Sequence, residues 1–175
     1  MAKVIIGIGV PGSGKTTILK DFAEKYGYAY LCPDDIRAEH TGDAKNQTRN
    51  QEVWDEARRR VESFLTSGRI VVFDATFADE RTRSAFLAFV RKHGAEKIQG
   101  IFIDAPLETA KERNAKRDRI VPEYVVERMY DNLSKTPPQI DEGFDTLFTL
   151  DEYHALARAE QKNHESVIRK EFRIK

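Results

Sequence analysis

The chain opens on an apolar run, Val4-Ile5-Ile6-Gly7-Ile8, that is continuous rather than alternating. Unbroken β-branched runs of this length mark a strand buried on both faces, as in a parallel sheet. The period then changes. Ile18, Leu19, Phe22 and Ala23 fall at helical spacing and predict a helix from Thr17 to Tyr26. The same alternation recurs downstream. Tyr28–Pro33 reads as a second short strand ending at Asp34-Asp35, with a short helix from near Ile36 and Thr41-Gly42-Asp43 as punctuation. From about Lys45 to Thr66, Val53, Ala57, Val61, Phe64 and Leu65 share one helical face, and Ser67-Gly68 stops the helix. Arg69–Phe73 is a third strand ending at Asp74. Asp79 caps a helix that runs to about Lys92, and His93-Gly94 closes it. Ile98–Ile103 is a fourth strand ending at Asp104. Pro106 starts a helix to about Asn114 and Pro122 another to about Ser134. Pro137-Pro138 break the chain, Asp145–Leu150 reads as a fifth strand, and Asp151 to about Phe172 as a charged, weakly apolar helix.

Strands that alternate with helices over 175 residues predict one α/β domain, residues 1–175, with a five-stranded parallel sheet flanked by helices. Ligands of open α/β sheets bind beyond the carboxyl ends of the strands. Asp34, Asp74 and Asp104 each succeed a strand, so they are expected to gather at that edge, around the loop that leaves the first strand.

That loop is Gly9-Val10-Pro11-Gly12-Ser13-Gly14-Lys15-Thr16, a complete G-x-x-x-x-G-K-[ST] phosphate-binding motif between a strand and a helix. Glycines let successive N–H groups turn inward, and the helix N-terminus adds unpaired donors and a positive dipole end. Gly12, Ser13, Gly14, Lys15, Thr16 and Thr17 are therefore expected to bind the phosphates of ATP or another nucleoside triphosphate. Lys15 reaches the β- and γ-phosphates, and the Thr16 hydroxyl serves Mg²⁺.

Such a loop binds phosphate without saying what becomes of it. Phosphoryl transfer needs an acceptor-orienting base, metal-binding oxygens and cations for the moving charge. Asp34 can take the proton of an alcohol, and Arg37 can hold a substrate phosphate bidentately. Taken alone, those residues read rather as a helix cap and a surface arginine; the functional reading gains weight because the phosphate loop places a nucleotide nearby. Asp74 can hold Mg²⁺ through water or orient the acceptor, with Thr76 two residues on. Lys111–Arg119 carries five cations and two anions, as a lid over about 112–121 would, and Arg113 and Arg117 share a face if the helix extends that far. Arg58-Arg59-Arg60 spreads around its helix and reads as solvated surface. Trp54 lies beside a core stripe and reads as packing.

Charge changes the picture only by what it withholds. Lys plus Arg and Asp plus Glu are 29 each, so nucleic acid must be met by a local patch and not by a global field. A single cysteine, Cys32, excludes an intrachain disulfide and reads as a buried inert thiol. The four histidines have no metal-ligand spacing. No apolar run approaches the roughly 18 residues of a membrane span, and the apolar start leads straight into the phosphate loop instead of a cleavage site. A cytoplasmic protein without membrane contact is expected.

The ordered set GVPGSGKTT at 9–17, PDDIR at 33–37, FDATFADERTR at 73–83, ERNAKRD at 112–118 and VPEYVVERMY at 121–130, with EGFD at 142–145, resembles the 5′-hydroxyl polynucleotide kinases of phages and bacteria, within the P-loop kinases. The resemblance runs from the phosphate loop to about Lys135 and implies a P-loop NTPase fold with a basic lid. It implies Asp34 as general base on the 5′-OH and Arg37 on the acceptor phosphate. Asp74 and Thr76 would lie in the acceptor site, Arg113 and Arg117 on the donor, with Arg117 stabilising the transferring phosphoryl group. Phe77 stands where such kinases often carry Asn. The remaining residues are too few for the 3′-phosphatase domain of the phage enzymes and lack its DxDxT motif, so no 3′-end repair is expected. The implied activity is ATP-dependent phosphorylation of DNA or RNA 5′-OH ends, alongside repair partners such as a ligase. Two alternatives stay open: a kinase of a small hydroxyl compound (nucleoside, antibiotic or nucleotide sugar), and a nucleotide-regulated binding module without transferase activity.

Overall fold

A computed structural model describes residues 2–155 and 158. Its strands are β1 (Lys3–Ile8), β2 (Ala29–Leu31), β3 (Ile70–Asp74), β4 (Lys97–Phe102) and β5 (Thr146–Thr149). Its helices are α1 (Lys15–Tyr26), α2 (Pro33–Thr41), α3 (Asn50–Thr66), α4 (Glu80–Lys92), α5 (Leu107–Ala115) and α6 (Glu123–Lys135), with a 3₁₀ turn at Ile140–Glu142. The five strands form one sheet in the order β2-β3-β1-β4-β5, every pair parallel. β1 is central, and chain leaving its carboxyl end meets the point where the connections diverge.

The continuous apolar runs are explained by two separate packing layers. Val4, Ile6, Ile8, Val71, Phe73 and Ile98 join one buried cluster with Val53, Ala57, Val61 and Leu65 of α3, Phe86, Leu87 and Val90 of α4, and Val126 and Leu133 of α6. Ile5, Val72, Ile101 and Ile103 point the other way, onto Leu19 and Ala23 of α1. Alternate residues thus serve opposite faces, and neither face can be polar.

Several boundaries differ from the sequence reading. The second strand is only three residues long, because Pro33 takes the first position of α2, where its fixed φ suits a helix. Asp34 consequently lies in a first helical turn instead of at a strand end. α3 begins at Asn50, five residues later than the apolar stripe suggested. The carboxylate of Asp43 accepts from Lys45 N–H and the amide oxygen of Asn46 from Thr48 N–H, so the local side chains hold that stretch in turns. α5 stops at Ala115, with Lys116 as C-cap. Arg113 and Arg117 are therefore not on one continuous helix, and of the expected lid only residues 116–121 are irregular. Asp145 precedes β5 rather than opening it, and accepts from Ile98 N–H at 2.6 Å. Residues 150–155 are helical, and most of the expected helix to Phe172 lies outside the described residues. Arg58, Arg59 and Arg60 are engaged within the protein, on Asp55, on Glu56, and on Glu56 and Glu39.

Candidate active site

The loop after β1 is shaped by close approach as much as by turning. Gly12 has φ +83°, and a Cβ there would stand 2.1 Å from the Ala110 carbonyl oxygen of α5. Only glycine fits both the backbone conformation and the gap. Gly14, at φ +99°, caps α1 without a side-chain hydrogen bond, so the first amides of the helix remain available. The Ser13 hydroxyl is buried without a hydrogen-bond partner. Lys15 is 7% exposed and donates from Nζ to the Val10 carbonyl at 3.1 Å. Burial pushes its pKa down, while nearby Asp74 pushes it up.

Asp74 ends β3 at 3% exposure and accepts from the Tyr30 hydroxyl at 2.8 Å. Burial, with the Asp74 charge second, drives the Tyr30 phenol far upward, so it stays a neutral donor. Beyond Asp74 the chain turns sharply. Phe77 has φ +49°, a conformation a bulky residue adopts only when its surroundings enforce it. The enforcement is visible: its ring packs among Trp54, Phe73 and Phe86, and its carbonyl accepts from Arg83 Nη1 at 3.2 Å. Arg83 is itself 1% exposed, paired with both carboxylate oxygens of Glu142 at 2.8 Å, and it donates to the Thr136 carbonyl at 2.9 Å. One buried guanidinium therefore ties α4 to the Asp74 loop, to the end of α6 and to the 3₁₀ turn.

Asp34 sits between two arginines. Its Oδ1 is engaged by Arg37 Nη1 and its Oδ2 by Arg119 Nη1. The Arg37 side chain is 4% exposed, and its Nη2 donates to Asn50 Oδ1 at 2.9 Å. Asn114 braces the segment that carries Arg119, with Nδ2 donating to the Val121 carbonyl at 2.7 Å and Oδ1 accepting from Val121 N–H at 3.2 Å.

Lys15, Asp34, Arg37, Asp74 and Arg119 line one cleft of about 850 Å³. Of the candidates read from the sequence, Gly12, Gly14, Lys15, Thr16, Thr17, Asp34, Arg37, Asp74, Thr76, Arg113 and Arg117 all border it. Ser13 is buried beneath the loop instead. Asp104 does not join them: it borders a separate cavity of about 190 Å³ with Val10, Tyr130 and Pro137. β4 carries its loop to the other side of the phosphate loop, which the rule of strand ends alone did not resolve. Trp54 both packs on Phe73 and borders the cleft. Cys32 borders it too, its thiol pushed up to about 11, by burial first.

Sequence reasoning missed Arg119, Arg128, Asn50 and Arg83. Arg119 lay within the basic stretch and Arg83 within a quoted motif, but nothing in spacing shows which arginine pairs with which acid. The cleft is bordered by six cations (Lys15, Arg37, Arg113, Arg117, Arg119, Arg128) and three acids (Asp34, Asp74, Asp79). Among the described residues, Arg113, Arg117 and Arg128 make no ion pair. Its oxygen donors, the Thr16 hydroxyl and the Asp74 carboxylate, are hard ligands of the kind Mg²⁺ takes. Among the described residues no group of three His, Cys, Asp or Glu could by itself hold a metal.

A phosphate loop on the central strand of a 2-3-1-4-5 parallel sheet, with a basic segment facing it, defines a kinase-type P-loop protein. The chain belongs to the AAA domain family, whose profile matches residues 4–136. It is 27% identical over 157 residues to a protein of Acanthamoeba polyphaga mimivirus named a putative bifunctional polynucleotide phosphatase/kinase, covering 86% of this chain and 34% of that one. It therefore spans about a third of that relative's length. It is 29% identical over 129 residues to the cytidylate kinase of Methanocaldococcus jannaschii, covering 69% of this chain and 67% of the other. Among solved structures it matches a chain of the Pnkp1/Rnl/Hen1 RNA repair complex with a TM-score of 0.70 and 23% identity, over 82% of this chain and 46% of that one. The structural match shows that the two chains share a fold. Among the described residues no helix is long and apolar enough to cross a membrane.

Proposed function

We propose that this protein transfers the γ-phosphoryl group of ATP, or another nucleoside triphosphate, to the 5′-hydroxyl of a DNA or RNA end. The observation that carries the reading is the surplus of positive charge in a cleft that also holds Asp34. Lys15, Arg113 and Arg117 suffice for the donor's phosphates. Arg37, Arg119 and Arg128 are a further set, more than a neutral alcohol requires and well suited to an acceptor strung with phosphates. The mimivirus relative's name and the likeness to the RNA repair complex support the same acceptor.

In this mechanism the loop amides and Lys15 hold the donor's β- and γ-phosphates. Thr16, with Asp74 through water, would hold Mg²⁺, which neutralises phosphate charge when bound. Asp74 and Thr76 orient the acceptor, and Arg37 holds its phosphate. Asp34 accepts the proton of the 5′-OH as the oxygen attacks the γ-phosphorus in line. The bond from that phosphorus to the β-phosphate oxygen breaks, and the nucleoside diphosphate leaves. Arg113 and Arg117 counter the charge spreading over the transferring group. A ligase would consume the 5′-phosphate product.

The test is transfer of labelled γ-phosphate to an oligonucleotide with a free 5′-OH, with Asp34→Asn as control. The proposal expects label on the 5′ end and a loss of roughly 10²–10⁴-fold in Asp34→Asn, the usual contribution of a general base. A folded protein that labels no DNA or RNA end refutes it. The second reading, a kinase of a small hydroxyl compound, is favoured by the cytidylate kinase match, which extends over two thirds of both chains. It predicts label on a nucleoside, nucleotide or sugar in an acceptor screen and none on oligonucleotides.

A further inference from the structure

Asp34, the residue assigned to take the hydroxyl's proton, is fully engaged by cations, one guanidinium on each oxygen. The two arginines are not equivalent. Arg37 is nearly buried, anchored on Asn50 as well as on Asp34, and belongs to the same helix as the acid. Arg119 comes from the irregular segment between α5 and α6, is 26% exposed, and Asp34 is its one ion-pair partner among the described residues. A pair made by a partly solvated side chain on an irregular segment, to a carboxylate itself 36% exposed, is screened by water and can be exchanged for a better anion. A phosphodiester is such an anion: two unesterified oxygens in a fork that a guanidinium matches as it matches a carboxylate.

We infer that Arg119 is an acceptor-specificity residue, exchanging the Asp34 carboxylate for the first internucleotide phosphate of the acceptor. In the structure it occupies Oδ2. With an oligonucleotide bound it moves to the phosphate, and Oδ2 is released for the 5′-OH. An acceptor without a phosphate leaves the pair closed, so the hydroxyl must compete with a guanidinium for the oxygen it needs. The inference rests on the proposed function and deepens it, because it makes the phosphate beside the terminal nucleoside part of what activates the base. It also gives a reason for an arginine at position 119 in addition to the arginine at 117.

The experiment compares two acceptors of the same base, the nucleoside and the dinucleotide with one internucleotide phosphate, in wild type, Arg119→Gln and Arg119→Lys. Wild type is expected to prefer the dinucleotide. Arg119→Gln should lower kcat/KM for the dinucleotide roughly 10- to 100-fold, the scale of one charge-assisted contact, without lowering it for the nucleoside, so that the preference collapses. Arg119→Lys should recover part of the preference, since lysine keeps the charge and loses the fork. KM for the nucleotide donor should stay unchanged in both variants. Equal losses on the two acceptors, or a raised donor KM with the preference intact, overturn the inference while leaving the kinase reading standing. Absence of label on any 5′-OH in wild type overturns both. Thermal melting of each variant separates lost folding from lost recognition, and a lysine variant that folds as wild type but restores no preference also counts against it.

Discussion

The buried Arg83–Glu142 pair invites the most demanding prediction. Replacing Arg83 by methionine removes four hydrogen bonds at once: two to Glu142, one to the Phe77 carbonyl and one to the Thr136 carbonyl. The methionine fills comparable space but leaves a carboxylate whose side chain is only 7% exposed without its counterion. Breaking one partner of a buried pair costs about 3–5 kcal/mol. For a domain of this size each kcal/mol lowers the midpoint by about 2–4 °C, so Tm should fall by roughly 6–20 °C. Removing both charges together, as Arg83→Met with Glu142→Leu, should recover much of that loss, because the uncompensated charge disappears. The assay is urea unfolding of the two single variants and the double, closed as a double-mutant cycle. A coupling below about 0.5 kcal/mol, or a single variant costing under about 1 kcal/mol, would refute the claim that this guanidinium is the junction of α4, the Asp74 loop and the 3₁₀ turn. Activity should suffer beyond stability in Arg83→Met, because Phe77 then loses the hydrogen bond that fixes its left-handed backbone beside Thr76.

Two other outcomes rest on particular distances and shifts. Gly12→Ala puts a methyl 2.1 Å from the Ala110 carbonyl at a φ that L residues resist, so about 2–5 kcal/mol of stability and nucleotide binding together should be lost; calorimetric titration with nucleotide and a melting curve check both. Cys32, with its thiol raised to about 11, is protonated at neutral pH, so alkylation by iodoacetamide should be slow at about pH 7.5 and accelerate toward pH 11 as thiolate appears; a rate already at its plateau near pH 8 would contradict that environment.

The polypeptide's own pattern carried much of the architecture. Continuous Val/Ile runs can be buried only between two layers, and the alternation of period from strand to helix leaves a parallel sheet as the way to join them. The phosphate loop was legible for the same reason: its glycines, lysine and threonine act through local backbone geometry, and its flanks are contiguous with it. Asp79 as a helix cap was equally local, and its carboxylate accepts from Thr82 N–H. Where prediction failed, the deciding force was also close at hand but unweighted: Pro33 started α2 early, and Asp43 and Asn46 bent the chain before α3.

The tertiary structure alone decided the pairings. Which arginine meets Asp34, that Arg83 reaches Glu142 across 59 residues, and that Asp104 turns into a different cavity from Asp74 all depend on how loops of distant sequence pack at one sheet edge. A run of basic residues carries the same composition whether it covers a solvated face or clasps an acid. Spacing encodes the face a side chain shares along one helix, but ion pairs between elements are fixed by crossing angles and loop paths, which arise only when the whole core closes.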